Sequence, residues 1–336
     1  MGARAVVAGL TRSAFIADVD AGDRAPLPII GTFAIGLPVG LVGGAAAMML
    51  VSAVYLILTG RGDLGPPGIS RLLLYIKDIT TPSALDVFLE LLMTAGASAV
   101  FFLAFVAVAA ACSGKTLIRY VTAAARIRWR LLFVGLLLGV VAIAPLAIVD
   151  RLTSADIGPV PIVSIGQGWG DRLFYLVAAL LLIPAAAAEE LTFRGWLLRL
   201  ASAFTRNAWL LVFGVGVLFA AAHLDFSLDG LLARTMMGAG LAYMTLRLGG
   251  IEFATGVHSA NNIVIVLFVE PLTLNAVPSP SGMTLDAFVS DVATLALYVA
   301  VTEAAVRVPA LRRLSGLDMH DVSPPLPEVQ AVADGD

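Results

Sequence analysis

Apolar residues dominate this chain in long runs, and the breaks between the runs carry most of its charge. Runs of roughly 17–25 apolar residues are the length needed to cross a bilayer core as helix. Eight can be read along the sequence, at 34–59, 87–112, 131–149, 173–190, 208–224, 231–248, 251–270 and 286–304. The pattern predicts an all-α polytopic membrane protein. In the first run Gly36, Gly40 and Gly44 recur at four-residue spacing, a face that another helix can approach closely. Pro38, Pro145 and Pro184 are expected to kink their helices. The stretch 60–86 holds Pro66, Pro67, Gly68 and Pro82 and reads as a surface loop with a short amphipathic piece around Leu72 to Ile76. Residues 314–336 are acidic and poor in apolar groups, and read as a disordered tail. The expected organisation is a cytoplasmic segment 1–26, a membrane domain 27–313 with its chemistry in 173–270, and the tail.

Composition narrows the choice further. Of 336 residues 59% are hydrophobic and 13% charged, and mean hydropathy is +0.94. Soluble domains run near about 25% charged, so a water-soluble fold of this length would lack the polar surface to cover itself. The net charge of -3 says little about partners, and nothing points to nucleic acid. Cys112 is the single cysteine and reads as packing rather than as a disulfide partner. The N-terminus lacks the form of a signal peptide, because only Ala5 to Leu10 is apolar and Asp18, Asp20 and Asp23 follow. Val6 stands where N-myristoylation wants Ser or Thr.

Orientation follows from Lys and Arg placement. If the loop 113–130 is cytoplasmic, alternation puts fifteen basic residues, Arg194 among them, on that side and five on the other, with Arg234 at a helix start. Both termini are then expected in the cytoplasm, with the protein an integral component of the plasma (inner) membrane of a prokaryote.

Three charge-bearing patterns interrupt the apolar second half. Ionised groups at such depth oppose insertion by about 2.5–3.5 kcal/mol each, so they are seldom kept without a task. In the first, Glu190 and Arg194 are four apart on one helix face and can pair, while Glu189 points about 100° away and is left for other work. In the second, His223 follows Phe219 by one turn. In the third, His258 and Asn262 share a face within an apolar segment. Each has a plain structural explanation alone: a helix end meeting water, an interfacial histidine, interhelical hydrogen bonding. Together they offer a carboxylate, two imidazoles and a carboxamide, the parts for activating water and stabilising an oxyanion.

The strings E-E-L-T-F-R-G at 189–195, F-A-A-A-H at 219–223 and H-S-A-N-N at 258–262 resemble, in order, the three motifs of the CPBP intramembrane proteases. That family is also called Abi and includes the type II CAAX prenyl endopeptidases. The resemblance covers about 173–270. It implies that Glu189 is the catalytic glutamate, activating water together with His258. It implies oxyanion stabilisation by His223 and Asn262, and supporting roles for Glu190 and Arg194.

For Glu189 to meet His223, the helix must continue past Glu190. A single helix over 173–204 would be about 48 Å long at 1.5 Å per residue, tilted or kinked at Pro184. Zinc is an alternative, held by His223, His258 and Glu189, although no H-E-x-x-H is present. A metal-independent glutamate mechanism, with no cofactor, is favoured. The G-x-G-D string at 168–171 lies before a span without a second intramembrane Asp, and no embedded G-x-S-G suggests a serine enzyme. A second class is non-catalytic: a regulatory or immunity protein, or a proton-coupled transporter using the same polar helices. The reading reached is an eight-helix intramembrane endopeptidase whose site opens toward the cytoplasm. It would act on a prenylated CAAX peptide or an unprenylated membrane peptide.

Overall fold

The computed structural model describes residues 9–59, 84–153, 160–164, 168–269 and 283–317. The amphipathic piece at Leu72 to Ile76 lies outside them, as do residues 318–336 of the expected tail. Eight helical elements stand where the apolar runs predict them. They are α1 (Pro26–Thr59), α2 (Ala84–Ser113), α3 (Trp129–Thr153), α4 (Trp169–Phe204), α5 (Leu210–Ala222), α6 (Leu228–Leu248), α7 (Glu252–Val269) and α8 (Leu285–Arg307). Among the described residues six are long and apolar enough to cross a membrane. The exceptions are α5, which is too short, and α6, which carries Asp229, Arg234 and Arg247. The protein is an all-α polytopic membrane protein.

Lipid contact and packing divide the helices into an outer and an inner set. The share of buried positions is 11% in α3 and α8 but 56% in α4 and 72% in α7. The outer helices turn residues such as Leu41, Val42, Leu137 and Val141 outward, which suits a hydrocarbon solvent. The inner helices carry the polar motifs. Helix α1 meets α2 through the glycine face read from the sequence. A Cβ on Gly40 would lie 2.9 Å from the Phe101 ring, and one on Gly44 3.1 Å from the Ala97 carbonyl. Glycines also bring α3 against α7, with Gly135 at Phe253 and Gly139 at Ala260. Only a residue without a side chain lets backbones approach so closely.

Helix α4 runs the full 36 residues from Trp169 to Phe204, as the continuous reading requires. It is interrupted at Leu180 and Leu181. Pro184 explains this, because its ring clashes with the carbonyl four residues back, that of Leu180. After Glu190 the helix widens to π geometry over Leu191–Leu197, and further π segments occupy Leu210–Gly214 and Ile265–Val269. Such insertions concentrate at functional sites.

The two ends of the bundle differ in charge. One end gathers Lys115, Arg119, Arg130, Arg206, Arg247 and Arg307 at the terminus of α2, the start of α3 and the ends of α4, α6 and α8. Residues 9–24 are packed across this end. Phe15 and Ile16 are fully buried, Asp18 pairs with Arg119 and Arg199, and Asp23 with Lys115. Arg194, assigned by alternation to this surface, is instead 0% exposed inside the bundle. The other end holds Arg151, Arg172 and Arg234 against Asp171, Asp225, Asp229, Asp286 and Asp291.

Candidate active site

Glu189 lies fifteen residues before the end of α4, which at the helical rise is about 22 Å from the basic end. That is well inside a hydrocarbon core of about 30 Å. Its neighbour Glu190 points into the bundle. Glu190 Oε1 accepts a hydrogen bond from Arg194 Nη1 at 2.8 Å, and both side chains are 0% exposed. Arg194 Nη2 donates to the Gly238 carbonyl of α6 at 3.1 Å, and its guanidinium lies 4.3 Å from the centre of the Phe219 ring. A charge buried this deeply would be costly without these partners. The i, i+4 pairing expected of Glu190 and Arg194 is therefore present, and it forms the floor of the site.

His258 from α7 stands between the two glutamates. Its Nδ1 is 2.8 Å from Glu190 Oε1, and its Nε2 is 3.8 Å from Glu189 Oε2. A carboxylate at Nδ1 places a proton on that nitrogen, so the neutral ring turns the Nε2 lone pair toward Glu189. The resemblance implies that His258 acts with Glu189 on a water; the direct hydrogen bond of the ring goes to Glu190, and its approach to Glu189 is longer than a hydrogen bond. Glu189 also accepts from Ser98 Oγ of α2 at 3.4 Å.

Phe219 explains the spacing of the second motif. Its ring contacts His223 at 4.6 Å, His258 at 5.9 Å and Phe193 at 5.2 Å between centroids. It is thus a plate against which both imidazoles and Arg194 rest. His223 caps α5, with its Nδ1 2.9 Å from the Phe219 carbonyl. A carbonyl only accepts, so this Nδ1 carries a proton and Nε2 donates only when the ring is doubly protonated. The next residue, Leu224, takes φ 58, a left-handed conformation costing a non-glycine residue about 1–2 kcal/mol. It ends α5 at the histidine.

Glu189, His223, His258 and Asn262 line one cavity of about 710 Å³. Asn261 Nδ2 donates to Asn262 Oδ1 at 3.4 Å, and Tyr298 Oη to Asn261 Oδ1 at 3.4 Å. Among the described residues this leaves the Asn262 amide nitrogen without a hydrogen-bond partner. Leu182, Ala185 and Val266 make an apolar wall; Asp225, Ser227, Asp229, Arg234, Asp291 and Thr294 make a polar one. These polar residues lie at the α5–α6 turn and the starts of α6 and α8. The cavity therefore runs toward the acidic end, not toward the basic end assigned to the cytoplasm. The short α5 is the physical reason, since it stops at Ala222 and leaves the turn after it to form the wall. On that wall Arg234 donates to Asp225 at 2.6 Å. Hydrogen bonds from Arg234 and Ser227 hold the Asp225 carboxyl down at about 2.

Ser98, Tyr298 and the acidic wall were not singled out from sequence, and Asn261 entered only as part of the H-S-A-N-N string. Ser98 had no distinguishing signal, because a hydroxyl in an apolar helix commonly bonds back to its own backbone. Thr94 does so with the Glu90 carbonyl at 2.8 Å. Among the described residues no three His, Cys, Asp or Glu side chains converge to hold a metal ion.

Fold and site together define a polytopic helical membrane protein with two glutamates and a histidine in one cluster inside the bundle. Residues 171–264 match the family described as Type II CAAX prenyl endopeptidase Rce1-like. The resemblance carried by the three motifs holds over the segment that contains them. The chain is also 34% identical over 107 residues to a Bacillus subtilis (strain 168) protein named "Uncharacterized protein YyaK". That similarity covers 29% of this chain, which spans about a third (35%) of the relative's length. No solved structure matches the chain.

Proposed function

We propose that this protein is an intramembrane endopeptidase of the glutamate type, hydrolysing a peptide bond of a membrane-associated peptide or protein. The observation that carries the reading is His258 held between Glu190 and Glu189 at the base of a cavity shared with His223 and Asn262. Glu189 takes a proton from a water that also hydrogen-bonds His258 Nε2, at a separation suited to such a bridge. Glu190 holds the His258 ring and its tautomer, as a carboxylate partner does for a catalytic imidazole. The Asn262 amide donates to the tetrahedral oxyanion. The proton that Glu189 removes can pass to His223 Nε2; the ring, then doubly protonated, joins Asn262 as a donor and delivers that proton to the leaving amine. No step needs a metal.

The deciding assay is cleavage of membrane-derived peptides by the purified full chain in detergent, wild type against Glu189→Gln and His258→Ala. Turnover should fall by about 10²-fold or more in each variant, the scale of a lost general base, while the thermal unfolding profile is kept. Equal turnover in wild type and Glu189→Gln would end the glutamate-protease reading and return the transporter and regulatory alternatives.

A further inference from the structure

The sequence left two substrate classes open: a prenylated cytoplasmic C-terminus, or an unprenylated membrane peptide. The cavity separates them, on two independent grounds. The first is direction. Its polar wall lies at the acidic end of the bundle, at Asp225, Asp229, Asp291 and Thr294. The basic end is covered by residues 9–24, with Phe15 and Ile16 buried and Arg199 bonded to Asp18 and to the Phe15 carbonyl. Basic ends of membrane bundles face the cytoplasm. A substrate reaching Glu189 through this cavity therefore comes from the opposite side of the membrane.

The second ground is charge. Arg234 is the one arginine or lysine on the described lining, and Asp225 takes up its charge. Asp229 and Asp291 take part in no ion pair among the described residues, and Asp291 Oδ2 is shielded from water without a hydrogen-bond partner. Glu189 adds a further carboxylate at the base. A cavity with low-dielectric walls and an excess of one sign concentrates the opposite sign. The opposing wall of Leu182, Ala185 and Val266 suits an apolar neighbour.

We propose that the segment hydrolysed lies on the non-cytoplasmic side and carries a lysine or arginine, which Asp229 and Asp291 receive beside the scissile bond. This rests on the endopeptidase reading and selects the unprenylated membrane peptide as its substrate. Recognition uses the acidic wall for the cation and the Leu182–Ala185–Val266 wall for an adjacent apolar side chain.

Two measurements test it. In intact cells making the full chain with Cys112→Ser, a membrane-impermeant maleimide should label Phe226→Cys, which lies on the α5–α6 turn at a site 67% exposed. Thr116→Cys, at the basic end, should label only after lysis. The reverse pattern overturns the access side whether or not any peptide is cleaved. With the purified chain, peptides differing only in Lys, Gln or Glu beside the scissile bond are then compared. The Lys peptide should exceed the Gln peptide in kcat/KM by about tenfold, and Asp229→Asn with Asp291→Asn should reduce that ratio to about twofold. Equal rates, or preference for Glu, in an enzyme still dependent on Glu189 overturn the substrate class and leave the protease reading standing. Absence of Glu189-dependent cleavage of every peptide overturns both.

Discussion

Replacing Glu190 with glutamine isolates the role of the buried carboxylate, because the shape is kept and only the charge is lost. Both partners of the Glu190–Arg194 pair are 0% exposed. In the variant the guanidinium retains the Gly238 carbonyl and the Phe219 ring but loses its hydrogen-bonded counter-charge. Leaving a buried charge uncompensated costs about 3–5 kcal/mol, a large part of the about 5–15 kcal/mol that holds a typical domain folded. The Glu190→Gln variant should therefore unfold at markedly lower temperature or denaturant concentration in detergent. Adding Arg194→Met removes the orphaned charge, and the double variant should recover about 2 kcal/mol or more of the loss. Contacting residues are non-additive on this scale. Activity should not follow stability. His258 Nδ1 then faces an amide oxygen rather than a carboxylate, and loss of such an orienting partner lowers activity about 10–100-fold. The assay is the four-corner cycle of wild type, both single variants and the double, each followed by unfolding and by peptide turnover. An unchanged unfolding midpoint in Glu190→Gln, or losses that simply add in the double variant, would refute charge compensation. Full turnover in the double variant would refute the positioning of His258 by Glu190.

Three further outcomes follow from the same structure. A Cβ at Gly139 would lie 2.6 Å from Ala260 Cβ, between His258 and Asn262 on α7. Gly139→Ala should cost about 1–3 kcal/mol of stability by overpacking and lower turnover as well, with Ala260→Gly partly restoring both. Exhaustive chelation should leave turnover unchanged, measured with and without added zinc; activity lost on chelation and regained with zinc would reverse the metal-independent mechanism. Asp225 lies below its ordinary value of 3.8, at about 2, because Arg234 and Ser227 donate to it. Its contribution to stability is thus full above about 3.8 and fades as pH falls toward 2. Arg234→Gln should remove most of that acid-range dependence, and added salt should weaken it, as read from unfolding midpoints against pH.

The helical class, the places of eight elements and the three motifs were legible because apolar run length and i, i+4 spacing are local properties. Gly36, Gly40 and Gly44 predicted a close helix approach and make one, against Phe101, Phe105 and Ala97. The continuation of α4 past Glu190 followed from the need to bring Glu189 to His223, and Pro184 marked its break. Counting apolar runs did not measure span length: α5 is short and α6 charged, so among the described residues six helices rather than eight meet the length and composition needed to cross. Alternation likewise put Arg194 at a surface, although its pairing with Glu190 already pointed inward.

Sequence periodicity states which residues share a face within one helix, and so it determined that Glu190 and Arg194 pair while Glu189 turns elsewhere. It carries no information on the rotation and depth of one helix against another some seventy residues away. Those were decided by packing: the glycine contacts of α3 with α7, the π segment after Glu190, and the early end of α5 at His223. Only the tertiary structure therefore determined that His258 bonds Glu190 and faces Glu189, that Ser98 reaches the site from α2, and that the cavity runs toward the acidic end.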